Sequence, residues 1–186
     1  PWIVSNPIYV MTTARKAAPP PSPPPVASEA LNAGSWSNWR TERAPGSIVA
    51  LTPWSGPIAG DDSSLRIDFT LAGGAPRGQY IAAVRDVPAD VASFTRLAFR
   101  ARANHPLRIS VQVRDTSGQR WVRSAYVGRD LRDVAVDFAD MRATSVTATP
   151  AAPLGRLRTI LFVVDLTNAL PSASGSVWLS DLRLER

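Results

Sequence analysis

The sequence predicts an all-β protein, an antiparallel sandwich of about eight to ten strands, and three observations predict it. Short segments alternate apolar and polar residues, turn-forming clusters separate them, and no stretch sustains a helical period. Leu65, Ile67, Phe69 and Leu71 alternate with Arg66, Asp68 and Thr70, as in a half-buried strand. A second strand is predicted at 79–85. At 94–103, Leu97, Phe99 and Ala101 share one face while Arg100 and Arg102 take the other. Residues 107–114 repeat this, with Ile109, Val111 and Val113 inward and Arg108, Ser110, Gln112 and Arg114 outward. Further strands are expected at 120–127, 134–138, 158–165 and 176–184. Turns are signalled by Asn104-His105-Pro106, by Asp115-Thr116-Ser117-Gly118 and at 171–175, and residues 88–93 form one short turn at most. The segment RTILFVVD at 158–165 is apolar on both faces, which predicts a central strand covered on both sides. Many short strands with regular turns make a sandwich of the jelly-roll type.

Ahead of these strands the composition changes. Residues 14–28, ARKAAPPPSPPPVAS, carry prolines at 19, 20, 21, 23, 24 and 25. Such a tract favours polyproline II, a semi-rigid spacer without internal hydrogen bonds, and is assigned as a linker. Residues 1–13, opening PWIVSNPIYV, are strand-like and read as the C-terminal edge of an upstream domain, leaving 29–186 for the sandwich. Trp36, Trp39 and Trp54 fall in an irregular stretch before the first clear strand, where core packing is favoured over an exposed stacking platform.

Composition removes several function classes. There is no cysteine, so disulfide scaffolds, thiolate metal sites and cysteine nucleophiles are excluded. The compartment stays open on this count, with a periplasmic or secreted location expected. Net charge is +6, from 21 basic and 15 acidic residues, and Lys16 is the only lysine. The arginines are spread along the chain and interleaved with aspartates, so no nucleic-acid partner is expected. The longest apolar run, at 160–164, is too short for a membrane span.

Catalytic constellations are missing too. The single histidine, His105, lies in a turn, and no Gly-x-Ser-x-Gly elbow accompanies it. Asp61 with Asp62, and the trio Asp133, Asp137 and Asp140, are read as turn and solubility residues rather than as a glycosidase pair. A zinc site lacks ligands, and no phosphate-cradling glycine loop is present, so no cofactor is expected. Asp165 ends an apolar strand and is expected to pair with an arginine of a neighbouring strand before serving a ligand.

What remains is a polar face. Arg100, Arg102, Arg108, Gln112 and Arg114 are expected to point the same way from two successive strands, with Trp121 or Tyr126 on the next. Planar hydrogen-bonding side chains beside an aromatic ring suit sugars, and an arginine-rich version suits acidic sugars or phosphates. The alternative is that these arginines pair with Asp68, Asp137 and Asp165 and merely solvate a sheet.

The elements FRAR at 99–102, PLRISVQVR at 106–114, GQRWVRSAY at 118–126, LFVVD at 161–165 with Asn168, and GSVWLSDLRL at 175–184 resemble the galactose-binding-like jelly rolls, a group rich in carbohydrate-binding modules. The resemblance covers 64–184 and implies a non-catalytic accessory module for carbohydrate or a similar polyhydroxylated ligand. Arg100, Arg102, Gln112, Arg114, Trp121, Tyr126 and Asp165 are its candidate ligand residues. It also implies a structural calcium near the chain ends, for which Glu29 and Asp181 are the acids at hand. Separately, SNPIYV at 5–10 resembles the last strand of PHP-type metal-dependent phosphoesterase domains. That implies a hydrolase upstream, with the sandwich attached on its C-terminal side. The competing expectation is a structural or oligomerisation module with no small-molecule ligand.

Overall fold

Twelve strands make up two antiparallel sheets in a computed structural model, which describes residues 28–31, 36, 38–55, 64–74, 78–87, 91–146 and 149–186. The N-terminal strand-like stretch, the linker except Ser28, and Asp61 and Asp62 lie outside the described residues. In chain order the strands are β1 (Ser28–Ala30), β2 (Trp39–Arg43), β3 (Ile48–Trp54), β4 (Ser64–Thr70), β5 (Tyr80–Asp86) and β6 (Arg96–Ala103). They continue with β7 (Leu107–Asp115), β8 (Arg120–Val127), β9 (Arg132–Asp137), β10 (Arg142–Ala143), β11 (Leu157–Asp165) and β12 (Ser174–Glu185). The first sheet runs β3-β4-β12-β6-β9, with β1 also paired to β12, and the second runs β10-β8-β7-β11-β5-β2.

The eight predicted strands are all present, within about two residues of their expected ends. The irregular stretch holding the early tryptophans instead contributes β2 and β3. Trp39 opens β2 and Trp54 closes β3. These strands escape a periodicity search because β3 buries none of its seven residues fully and β2 buries only Trp39.

Alternation builds the core. Leu65, Ile67 and Phe69 of β4, Leu97 and Phe99 of β6, and Val177 and Leu179 of β12 face Ile109, Val111 and Val113 of β7 and Ile160, Phe162 and Val164 of β11. Phe99 and Phe162 meet edge to face with centroids 5.0 Å apart and join the sheets, while Trp39 packs on Phe162 at 5.8 Å and on Trp36 at 5.7 Å. Trp36 and Trp39 are thus core residues. On β12 the inward set shifts from Val177 and Leu179 to Leu182 and Leu184. A bulge between Ser180 and Arg183, with Asp181 at φ 49°, supplies the extra residue that keeps leucines inward. As predicted, β11 is central, flanked by β7 and β5, and Leu161 and Val163 on its other face are also fully buried.

The turn after β6 does not form a hairpin. It carries the chain from the first sheet into the second, and β12 pins it: Ser176 N donates to Asn104 Oδ1 at 2.9 Å and Asn104 N to Ser176 O at 3.1 Å. Gly175 sits beneath this arch, where a Cβ would stand 2.6 Å from His105 Cε1 and 3.2 Å from Phe69 Cε1. Gly175→Ala is expected to cost about 1–3 kcal/mol in chemical denaturation by overpacking. Combining it with His105→Ala, which removes the closest atom, should restore part of that loss.

Candidate ligand-binding face on the second sheet

The crossover after β6 divides the polar face expected from sequence. β6 and β7 bury their apolar alternates against each other from opposite sheets, so their outward residues point in opposite directions. Alternation identifies which residues leave the core, not which sheet they leave it from. Arg100 and Arg102 stand outside the first sheet, and Arg108, Gln112 and Arg114 outside the second.

On the first sheet, the Arg102 guanidinium stacks over Trp178 at 4.2 Å from the ring centroid. Arg66 lies over both Trp54 and Trp178, at 5.5 and 5.4 Å, and pairs with Asp68 at 2.9 Å. Trp54 therefore belongs to this outer ladder rather than to the core. Arg100 pairs with Asp133 at 3.8 Å.

The second sheet carries the more structured face. Arg114 of β7 reaches across β11 and β5 to Glu42 of β2, donating through Nη2 to Oε1 at 2.7 Å and through Nη1 to Oε2 at 3.0 Å. In a flat sheet these strands would be about 14 Å apart, three spacings of 4.8 Å. Their ladder positions are also offset, since Arg114 aligns with Thr159 while Glu42 aligns with Ala82 and Val163. The two side chains meet over the intervening strands, and two pockets open on this same face, which is therefore concave. Beneath the ion pair, Ala82, Val84, Leu161 and Val163 form a small apolar cluster flanked by Tyr80. The hydrogen bond from Arg114 holds the Glu42 carboxyl below its ordinary value against the opposing effect of burial, and the charges of Arg114, Arg120 and Arg40 add to it.

Next to this strap lies a groove of about 370 Å³ lined by Tyr80, Gln112, Arg120, Val163, Asp165 and Thr167 among others. Gln112 is only 7% exposed, and its Oε1 has no hydrogen-bond partner among the described residues. A buried acceptor left unmade is costly, so its position at a groove wall is informative. Asp165 does not pair with an arginine as expected. Its Oδ1 accepts from Thr167 N at 2.9 Å and closes the turn after β11, a use its position at a strand end permits.

Of the remaining expected ligand residues, Tyr126 is 55% exposed and aligns with Arg108 on the same outer face. Trp121 is 1% exposed in the core, and its Nε1 donates to Thr149 O at 2.7 Å, so it presents no ring to a ligand. Of the two acids named for a structural calcium, Glu29 lies on β1 opposite Leu184 and Asp181 sits in the β12 bulge. The Asp181 carboxylate is held by Arg183, and no group of three or more metal-ligating side chains occurs among the described residues. Asp140 pairs with Arg123 at 3.6 Å, and Asp133 is taken by Arg100. Sequence reasoning missed Tyr80 and Glu42. Ile81, Ala82, Ala83 and Val84 are all apolar, so β5 gives no alternation from which Tyr80 could be assigned a face.

No protein-family model and no curated protein sequence matches this chain. Solved structures do. The family 11 carbohydrate-binding module of the cellulosomal cellulase Lic26A-Cel5E of Clostridium thermocellum superposes with a TM-score of 0.67 at 16% identity, over 86% of this chain and 95% of that one. The Clostridium thermocellum family 11 module in complex with a β-1,3-1,4-mixed-linked tetrasaccharide gives 0.67 at 15% identity, over 85% and 95%. An exo-β-agarase gives 0.57 at 13% identity over 84% of this chain and 25% of that one. The fold is therefore a β-sandwich jelly roll, one it shares with these carbohydrate-binding modules.

Proposed function

We propose that this chain is a non-catalytic module that binds carbohydrate on the concave face of its second sheet. The buried, unpartnered Gln112 Oε1 at the wall of a groove floored by Val163 and flanked by Tyr80 carries this reading. A sugar offers hydroxyls around its rim and C–H groups on its faces, so it satisfies the amide oxygen while packing on the apolar floor and ring. Arg114 and Glu42 support the site by fixing its curvature, and Asp165 by holding the turn that forms its end. The tetrasaccharide carried by a structural neighbour of the same fold supports the ligand class.

The likeness of SNPIYV at 5–10 to a PHP-type terminal strand supports attachment behind a metal-dependent hydrolase. An upstream sequence lacking the histidine and acidic metal ligands of such a domain would remove that part of the proposal.

The test is a glycan array on the 186-residue chain, followed by calorimetry on the best oligosaccharide. Gln112→Leu and Tyr80→Ala should each weaken binding at least about tenfold, the effect of one lost hydrogen bond or aromatic contact of about 1.4 kcal/mol. Thermal unfolding that is not lowered in either variant shows that the loss is local. A blank array from folded protein refutes carbohydrate binding.

A further inference from the structure

A second and larger pocket, about 500 Å³, opens on the same concave face toward the β8 and β10 edge, and Thr167 lines both. The two pockets differ in charge. Arg120 and Asp165 offset each other in the Gln112 groove. The second pocket sets Arg108, Arg123 and Arg142 against Asp140 alone, three positive charges to one negative, a net +2. Asp140 is spoken for by Arg123 at 3.6 Å. Neither Arg108 nor Arg142 has an acidic partner among the described residues, although Arg40, Arg66, Arg96, Arg114 and Arg183 all do. Between these cations the wall is neutral and hydroxylated: Asn168 Nδ2 donates to Ser110 Oγ at 2.7 Å, and Ser124 Oγ donates to Asn168 Oδ1 at 3.4 Å.

We propose that this pocket receives the acid group of an anionic sugar, so that the ligand of the module is an acidic oligosaccharide with a neutral ring beside Tyr80 and Gln112. The proposal rests on carbohydrate binding by this face. Guanidinium groups present paired N–H donors that match the oxygens of a carboxylate or a sulfate ester. Unneutralised arginines gathered at a concave wall raise the local potential and draw such groups in. Ser110 and Gln112 are two residues apart on β7, about 7 Å, so the neutral and cationic subsites adjoin along one strand.

The experiment is calorimetry on the full chain with three probes of equal length: a neutral oligosaccharide, an oligouronate and a sulfated oligosaccharide. The wild type should bind one of the acidic probes at least tenfold tighter than the neutral one, and which probe wins distinguishes carboxylate from sulfate. In an Arg108→Gln/Arg142→Gln double variant that preference should vanish, the salt dependence should flatten, and neutral binding should stay unchanged. Equal binding of neutral and acidic probes by the wild type overturns the anionic subsite while leaving carbohydrate binding intact. So does a preference that survives the double variant. Single-stranded oligonucleotide bound as tightly as the acidic sugars also overturns it, because the pocket then reads charge alone. Failure of every probe on folded protein ends both proposals.

Discussion

Glu185→Ala is expected to destabilise the protein by about 3–5 kcal/mol, the range for breaking one side of a buried ion pair. Glu185 is 3% exposed near the end of β12, where Arg96 Nε donates to Oε2 at 2.6 Å and Arg183 Nε to Oε1 at 2.7 Å. Its backbone oxygen also accepts from Thr95 N at 2.8 Å, which ties the entry of β6 to the last strand. Truncation leaves two guanidinium groups, both largely buried, around an empty site. The exposed pair of Arg40 and Asp86 is the control, since such a pair contributes about 0–1 kcal/mol. Asp86→Ala should therefore move the urea midpoint little, while Glu185→Ala should move it far. Equal shifts would mean that the Glu185 cluster behaves as a surface pair.

The same cluster sets the direction of pH dependence. Burial alone would raise the Glu185 carboxyl, but hydrogen bonds from Arg96 and Arg183 and their charges hold it below the ordinary carboxylate range. Burial likewise opposes the ionised form of Asp115, and the Ser117 hydroxyl, the backbone N–H groups of Gln119 and Ser117, and Arg156 outweigh it. Glu42 is lowered as described. A carboxyl lowered on folding binds its proton more readily in the unfolded chain. Its stabilisation is complete above the unfolded value of about 4 and is lost as pH falls through the folded value. The melting temperature should thus hold from neutral pH down to that range and fall below it, and Glu185→Ala should make the acid limb shallower.

How much of this was legible in the sequence follows from what period-two patterning encodes. It locates strands that bury one face, which is why 64–70 and 107–115 were readable. It fails for β3, where Ile48 is 63% exposed and no residue is fully buried. It also cannot assign sheets. Arg102 and Arg114 are both outward residues of successive strands, yet one stacks on Trp178 and the other spans the opposite face to Glu42. The partner that matters, Glu42, is 72 residues away from Arg114 in a stretch with little pattern of its own. The bulge at Asp181 shows the opposite case. The step from Val177 and Leu179 to Leu182 and Leu184 is a phase slip written in the sequence, and the fold resolves it by adding one residue to β12.

Trp121→Ala should cost about 3–5 kcal/mol, the range for emptying a buried large aromatic site. On β8 the residue aligns with Val113 of β7, is 1% exposed and packs in the main core. Its Nε1 donor satisfies Thr149 O, so the indole also anchors the segment ahead of β11. Because alanine at this position risks global unfolding, Trp121→Phe supplies the decisive comparison. Phenylalanine keeps most of the buried ring but removes the donor to Thr149 O, which lies on an exposed residue, a loss of about 0.5–1.5 kcal/mol. If Trp121 acts through the core alone, Trp121→Phe lowers the melting temperature while oligosaccharide affinity, measured well below that temperature, stays at the wild-type value. Tyr80→Ala should show the reverse, with affinity lost and stability nearly kept, because Tyr80 flanks the groove at the edge of the small outer cluster. A Trp121→Phe protein that melts normally yet loses its ligand would return the indole to the binding site and refute the division between core and concave face.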